Sequence, residues 1–203
     1  MYPTGPLTSL YSEAEILKQY KANVFGPLFV IQAALPLMRQ RHAGLIINFS
    51  SVAGQNTNPG IGAYGSTKAA LEQMTEALSV ELADFNIQVM IIEPGIFRTN
   101  FFGAIQTAEE GIPEHYVGTA AEKAVNHMKE MSGKQPGDPE KLVEKLYQMI
   151  SGEGEAGQLK GKILRFAIGE DALDRIEGKQ KKLLEDMKLS RESEARASTK
   201  IHE

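Results

Sequence analysis

Tyr64 and Lys68 stand four residues apart in Tyr64-Gly65-Ser66-Thr67-Lys68, and Ser51 precedes the tyrosine by thirteen positions. On a helix, an i, i+4 pair shares one face, with Cβ atoms about 5–6 Å apart. A free tyrosine hydroxyl has a pKa of about 10, too high to shuttle protons near neutrality. An ammonium ~4 Å away at an effective dielectric of ~20 interacts by about 4 kcal/mol, enough to lower the phenol by roughly two or three units. The phenol then enters the range where general acid–base catalysis works well. Ser51 would face it across a pocket and hydrogen-bond a substrate oxygen. Tyr-x-x-x-Lys alone more often opens an ordinary amphipathic helix, so the neighbouring segments decide.

Those segments have the form a reaction centre needs. Ile46-Ile47-Asn48-Phe49-Ser50-Ser51-Val52-Ala53-Gly54 reads as a short apolar strand running into a small-residue loop. The spacing of Ala69, Ala70, Leu71, Met74 and Leu78 predicts a helix over about 62–84, and the apolar run after it a strand over about 87–93. Ser12 with Glu15 forms a capping box for a long helix over about 13–40. The stretch from Asn100 to Gly118 is irregular and carries Phe101, Phe102, Ile105, Ile112 and Tyr116. Helices follow over about 119–132 and about 138–150, the second opened by Asp138-Pro139. A last strand lies between Gly161 and Gly169, and a charged helix from Asp171 frays from about Arg191. The expectation is one domain over about 1–190 with a flexible tail at about 191–203.

With 203 residues, 42% of them hydrophobic, the chain can bury one substantial core. A net charge of −4 and the lack of a basic patch argue against nucleic-acid binding. There is no cysteine, and His42, His115, His127 and His202 lack metal-ligand spacing, so no metal is assigned. Asn48-Phe49-Ser50 fits a glycosylation acceptor but falls in a buried strand. No leader pattern is evident, and no uninterrupted apolar run approaches transmembrane length. The expectation is a cytoplasmic protein without a transmembrane segment.

The order of these motifs resembles the short-chain dehydrogenase/reductase family, from about Gly5 to about Glu177. The resemblance implies the C-terminal part of a Rossmann-like doubly wound α/β fold, about three parallel strands with flanking helices. It gives Tyr64 the role of proton donor or acceptor at a substrate carbonyl or hydroxyl. Lys68 would lower its pKa and hold the nicotinamide ribose, and Ser51 would orient the substrate oxygen. A fourth position, Asn23, matches the family's asparagine. Pro27, four residues on, has no N–H, so the Asn23 carbonyl loses its helical partner and could hold a water feeding protons to Lys68. Pro94-Gly95-Ile96-Phe97-Arg98-Thr99 resembles the family's Pro-Gly turn, in which Ile96 and Thr99 match positions meeting the carboxamide and a phosphate. The region of Asn100–Gly118 corresponds to a lid over the substrate. Leu164 to Ala172 resembles a subgroup acting on steroid- or retinol-like alcohols and ketones. Hence NADP is the expected cofactor, with NAD as the alternative, and a small lipophilic alcohol or ketone the substrate.

The same resemblance implies a deficit. The family's glycine-rich turn, its NAD/NADP-selecting residue and its Asn-Ala-Gly turn have no counterpart in this sequence. Roughly 80–90 residues, several βαβ units of ~30 residues, would precede Met1. Gly60-Ile61-Gly62-Ala63-Tyr64-Gly65 and Gly152-Glu153-Gly154-Glu155-Ala156-Gly157 both fit G-x-G-x-x-G. Neither follows a strand directly, and the second carries two acidic residues, so neither is read as a phosphate cradle. The first strand is expected to become an open, association-prone edge. Three readings follow: an active NADP-linked oxidoreductase, an impaired remnant, or an interaction module that pairs with an intact relative. Homo-oligomer or heterodimer contact is expected through the catalytic-helix face.

Overall fold

The computed structural model describes residues 2–4, 12–107 and 112–193. In chain order it runs β1 (Tyr2–Thr4), α1 (Glu13–Tyr20), a π-helical turn (Lys21–Phe25), α2 (Gly26–Arg41) and β2 (Gly44–Phe49). Then come α3 (Val52–Gln55), α4 (Gly62–Glu81), β3 (Ile87–Pro94), β4 (Ile105–Thr107) and α5 (Ala120–Glu130). The chain ends with α6 (Pro139–Ser151), α7 (Gly154–Gly157), β5 (Arg165–Ile168) and α8 (Glu170–Glu192).

β2, β3 and β5 form a three-stranded parallel sheet in that order, with Gly44 opposite Ile87 and Ile91 opposite Arg165. Parallel neighbours need long crossovers, and helices supply them and cover the sheet. Alternation along the strands sends side chains to two cores. Ile46 and Ile87 meet Ile31, Leu35 and Leu82 on one face, under α2 and α4. Met90 and Ile92 meet Met149 on the other, under α6. Helices therefore flank both faces, as expected of a Rossmann-like α/β sheet. No strand pairs with the outer edge of β2 among the described residues, and Phe49 on it is 50% exposed.

The start of the long helix follows its sequence signals. The Glu15 N–H donates to Ser12 Oγ and the Ser12 N–H to Glu15 Oε2, which closes the capping box. Between α1 and α2 the helix widens, and the Gly26 N–H donates to the Lys21 carbonyl five residues back. Pro27 offers no N–H to the Asn23 carbonyl, and the wide turn lies directly before it. By length and composition alone the run Glu13–Arg41 could cross a membrane, a test that a helix packed on a sheet also passes, so the expectation of no transmembrane segment is not overturned. Val24, Ile31 and Leu35 on that run are buried against the rest of the fold, while Phe29, Val30 and Leu37 are exposed.

Two features were not anticipated. β1 pairs with β4 in a separate two-stranded parallel sheet, so part of the irregular stretch after Asn100 is a strand. β5 is shorter than the apolar run around it. Residues 108–111 of the lid region, and the tail beyond residue 193, lie outside the described residues.

Candidate active site

Tyr64 lies in the first turn of α4, buried, and Lys68 follows one turn later. The Lys68 ammonium sits 5.8 Å from the centre of the Tyr64 ring and donates to the Phe49 carbonyl at 2.8 Å. That carbonyl ends β2, so the lysine bridges α4 to the strand before Ser51. Burial pushes Lys68 down to about 8 and the nearby Glu72 carboxylate partly opposes the shift.

Ser51 starts α3, its Oγ accepting the Ala53 N–H at 3.1 Å. Gly65, beside Tyr64, is where α3 and its loop lie against α4. A Cβ there would stand 2.4 Å from Thr57 Oγ1 and 2.9 Å from the Ala53 carbonyl. The glycine therefore serves close packing. The Gly60–Gly65 run leads into α4 from a loop, and the Gly152–Gly157 run follows α6. Neither follows a strand directly, which agrees with setting both aside.

A cavity of about 570 Å³ brings Ser51 and Tyr64 together with Pro94, Gly95, Ile96 and Thr99. Phe97, Phe101, Phe102, Met128, Met131 and Leu142 make its walls mostly apolar. The Phe101 ring lies 5.5 Å from that of Tyr64. Lys68 stands behind Tyr64 and does not line this space. Asn23 is also set apart: its buried side chain donates to Thr67 Oγ1 at 3.0 Å, and Thr67 donates to the Tyr64 carbonyl at 2.7 Å. It is tied to α4.

Sequence reasoning missed two groups. Asp171 at the start of α8 accepts the Ile96 N–H at 3.0 Å, and a Cβ on Gly95 would stand 2.1 Å from its carboxylate. It closes the Pro94–Gly95 turn, and Arg175 joins it in lining the cavity. The second group is a buried ion cluster in which Arg165 pairs with Glu72, Glu76 and Glu93. Burial works against the Arg165 charge, but the hydrogen bonds it donates to Glu76, Glu72 and Glu93 outweigh it and hold the guanidinium firmly protonated. Burial, then Glu72, pushes Glu93 above the usual carboxylate range. The available signal was a charge inside each of two apolar strands, since buried charges require partners.

A parallel sheet covered on both faces, with a serine, a tyrosine and a Pro-Gly turn meeting at one end of the strands, defines the Rossmann-like α/β class. Residues 2–110 match the family model described as short chain dehydrogenase. The chain is 39% identical over 123 residues to oxidoreductase claN of Passalora fulva, covering 56% of each. It is 30% identical over 160 residues to the uncharacterized oxidoreductase YusZ of Bacillus subtilis, covering 75% of this chain and 53% of that one. A short-chain dehydrogenase crystal structure from Streptomyces avermitilis superposes with a TM-score of 0.81 at 32% identity, over 98% of this chain and 68% of that one. The chain belongs to the short-chain dehydrogenase family. It spans about half the length of the curated relatives it matches.

Proposed function

We propose that this chain carries the reaction centre of an oxidoreductase that moves hydride between a nicotinamide nucleotide and a small lipophilic alcohol or ketone. NADP(H) is preferred over NAD(H). The observation that carries this reading is the shared cavity, with the Ser51 and Tyr64 side chains facing the Pro94–Thr99 turn across an apolar space. Family membership supports it, and so does an apolar wall suited to a lipophilic substrate.

Tyr64 gives or takes the proton at the substrate oxygen, and Ser51 holds that oxygen in place. Lys68 stands behind the phenol as a buried cation, protonated below about 8. Asn23 acts through Thr67 on the turn of α4 that carries Tyr64. Pro94, Gly95, Ile96 and Thr99 fit the nicotinamide end of the nucleotide. They form one wall of the cavity, and Asp171 locks their turn. The Ile96 N–H is already committed to that carboxylate, so a carboxamide there competes with Asp171. Among the described residues no glycine-rich strand-to-helix turn offers a pyrophosphate site. When bound, the nucleotide supplies the hydride chemistry, and the residues named here orient the substrate and handle its proton.

The outer side of α2 exposes Phe29, Val30 and Leu37, and Phe25 is exposed at the end of the wide turn before it. Such a face suits a second copy or a related chain, and the protein works in the cytoplasm as a homo-oligomer or heterodimer. Fluorescence titration with NADPH and NADH, followed by turnover assays on lipophilic ketones, tests the reading. Saturable binding at or below about 1 mM, tighter for NADPH, is expected, within the usual range of Michaelis constants. No response at that concentration contradicts it.

A further inference from the structure

Glu72 lies one turn after Lys68 on α4 and is 1% exposed. Its carboxylate collects three donors from three other parts of the fold. Arg165 Nη1 on β5 donates to Oε2 at 2.7 Å, and Gln55 Nε2 on α3 donates to the same oxygen. Ser50 Oγ, beside Ser51, donates to Oε1. The same guanidinium holds Glu93, the residue before Pro94, and Glu76 further along α4 at 2.6 Å. Gly54 leaves the room this needs, since a Cβ there would stand 2.1 Å from Glu72 Oε1.

The link to the site runs through the backbone. Lys68 donates to the Phe49 carbonyl, and the next residue, Ser50, is the one Glu72 grips. Moving Glu72 would therefore move the acceptor of the lysine and the loop that presents Ser51. Lys68 is the only cation in α4. The charged groups gathered behind it are Glu72 and Glu76 on α4, Glu93 on β3 and Arg165 on β5.

We propose that Glu72, clamped by Arg165, is a positioning residue that fixes Lys68 and the Ser50–Ser51 loop in one arrangement relative to Tyr64. The catalytic meaning of that arrangement rests on the oxidoreductase reading above. The arrangement itself can be tested without turnover.

The measurement is the NMR titration of the Lys68 amine in the full chain after ¹³C reductive methylation, its signal assigned by loss in Lys68→Arg. In the unsubstituted chain the midpoint is expected at about 8. Glu72→Gln removes the opposing negative charge and loosens the grip on Ser50. Its midpoint is expected to fall by about one unit, a roughly tenfold loss of proton affinity. Gly54→Ala displaces the carboxylate without removing it and should move the midpoint the same way. Glu76→Gln also loses a bond to Arg165, yet it sits farther along the helix and should leave Lys68 unmoved. Unchanged titration in both Glu72→Gln and Gly54→Ala overturns the proposal, as does an equal shift in Glu76→Gln. If Glu72→Gln does not fold by circular dichroism, the other two variants decide. A chain that binds no nicotinamide nucleotide defeats the oxidoreductase reading and leaves the titration result standing.

Discussion

Beneath the cavity, the buried carboxylates of Glu72 and Glu93 and the partly buried guanidinium of Arg165 lock α4, β3 and β5 together with charge-assisted bonds. At its mouth, Phe101 and Phe102 sit half-buried with ring centres 5.7 Å apart, on a segment with little regular structure. The floor is held by directional charge-assisted bonds between elements distant in sequence, whereas the mouth rests on the ring contacts of Phe101 with Phe102 and Tyr64. The difference separates two tasks. The floor sets where Lys68 and the Ser51 loop stand, and the mouth can vary in shape without disturbing them.

Arg165→Met should break the floor most severely. It leaves three carboxylates without their shared cation, and removing one partner of a buried ion pair costs about 3–5 kcal/mol. Urea unfolding should show this as a lower midpoint with little change in slope. A loss as small as that of an exposed ion pair would mean the cluster is hydrated and the contrast false.

A smaller effect comes from the pH dependence of stability. Burial lowers the folded-state value of Lys68 from 10.5 to about 8. Between those values the unfolded chain keeps a proton that the folded chain has released. The cost of the buried charge is therefore complete below 8 and fades as pH rises from 8 towards 10.5. Unfolding free energy measured across that window should contain a rising contribution that Lys68→Met abolishes.

Much of the floor's surroundings was legible in the sequence, but the floor itself was not. The strands around Ile46 and Ile91 announced themselves as apolar runs, and Ser12 with Glu15 marked the start of the long helix. Pro27 flagged a lost helical bond, and a wide turn stands directly before it. The apolar spacing from Ala69 to Leu78 marked the helix that carries Tyr64 and Lys68. Arg165 meets Glu72 and Glu93 across 93 and 72 residues of chain, and no local pattern encodes such a meeting. The β1–β4 pairing was missed for the same reason. Asp171 escaped because a carboxylate at a helix start ordinarily needs no further explanation.

The mildest substitution belongs to the mouth. Phe101→Ala removes the ring contacts to Tyr64 and Phe102 and should cost about 1 kcal/mol. Lys68 should titrate as before, and thermal unfolding together with the amine titration checks both halves. A displaced Lys68 midpoint in this variant would show that mouth and floor are coupled.

Turnover of Tyr64→Phe, measured beside its nucleotide binding, tests the central claim most directly. The ring and its contact with Phe101 remain, while the acid–base hydroxyl is gone. The account predicts unchanged NADPH affinity and a fall in kcat of about 10²–10⁴, the usual share of a positioned acid or base. A variant that reduces ketones as fast as the unsubstituted chain would contradict it.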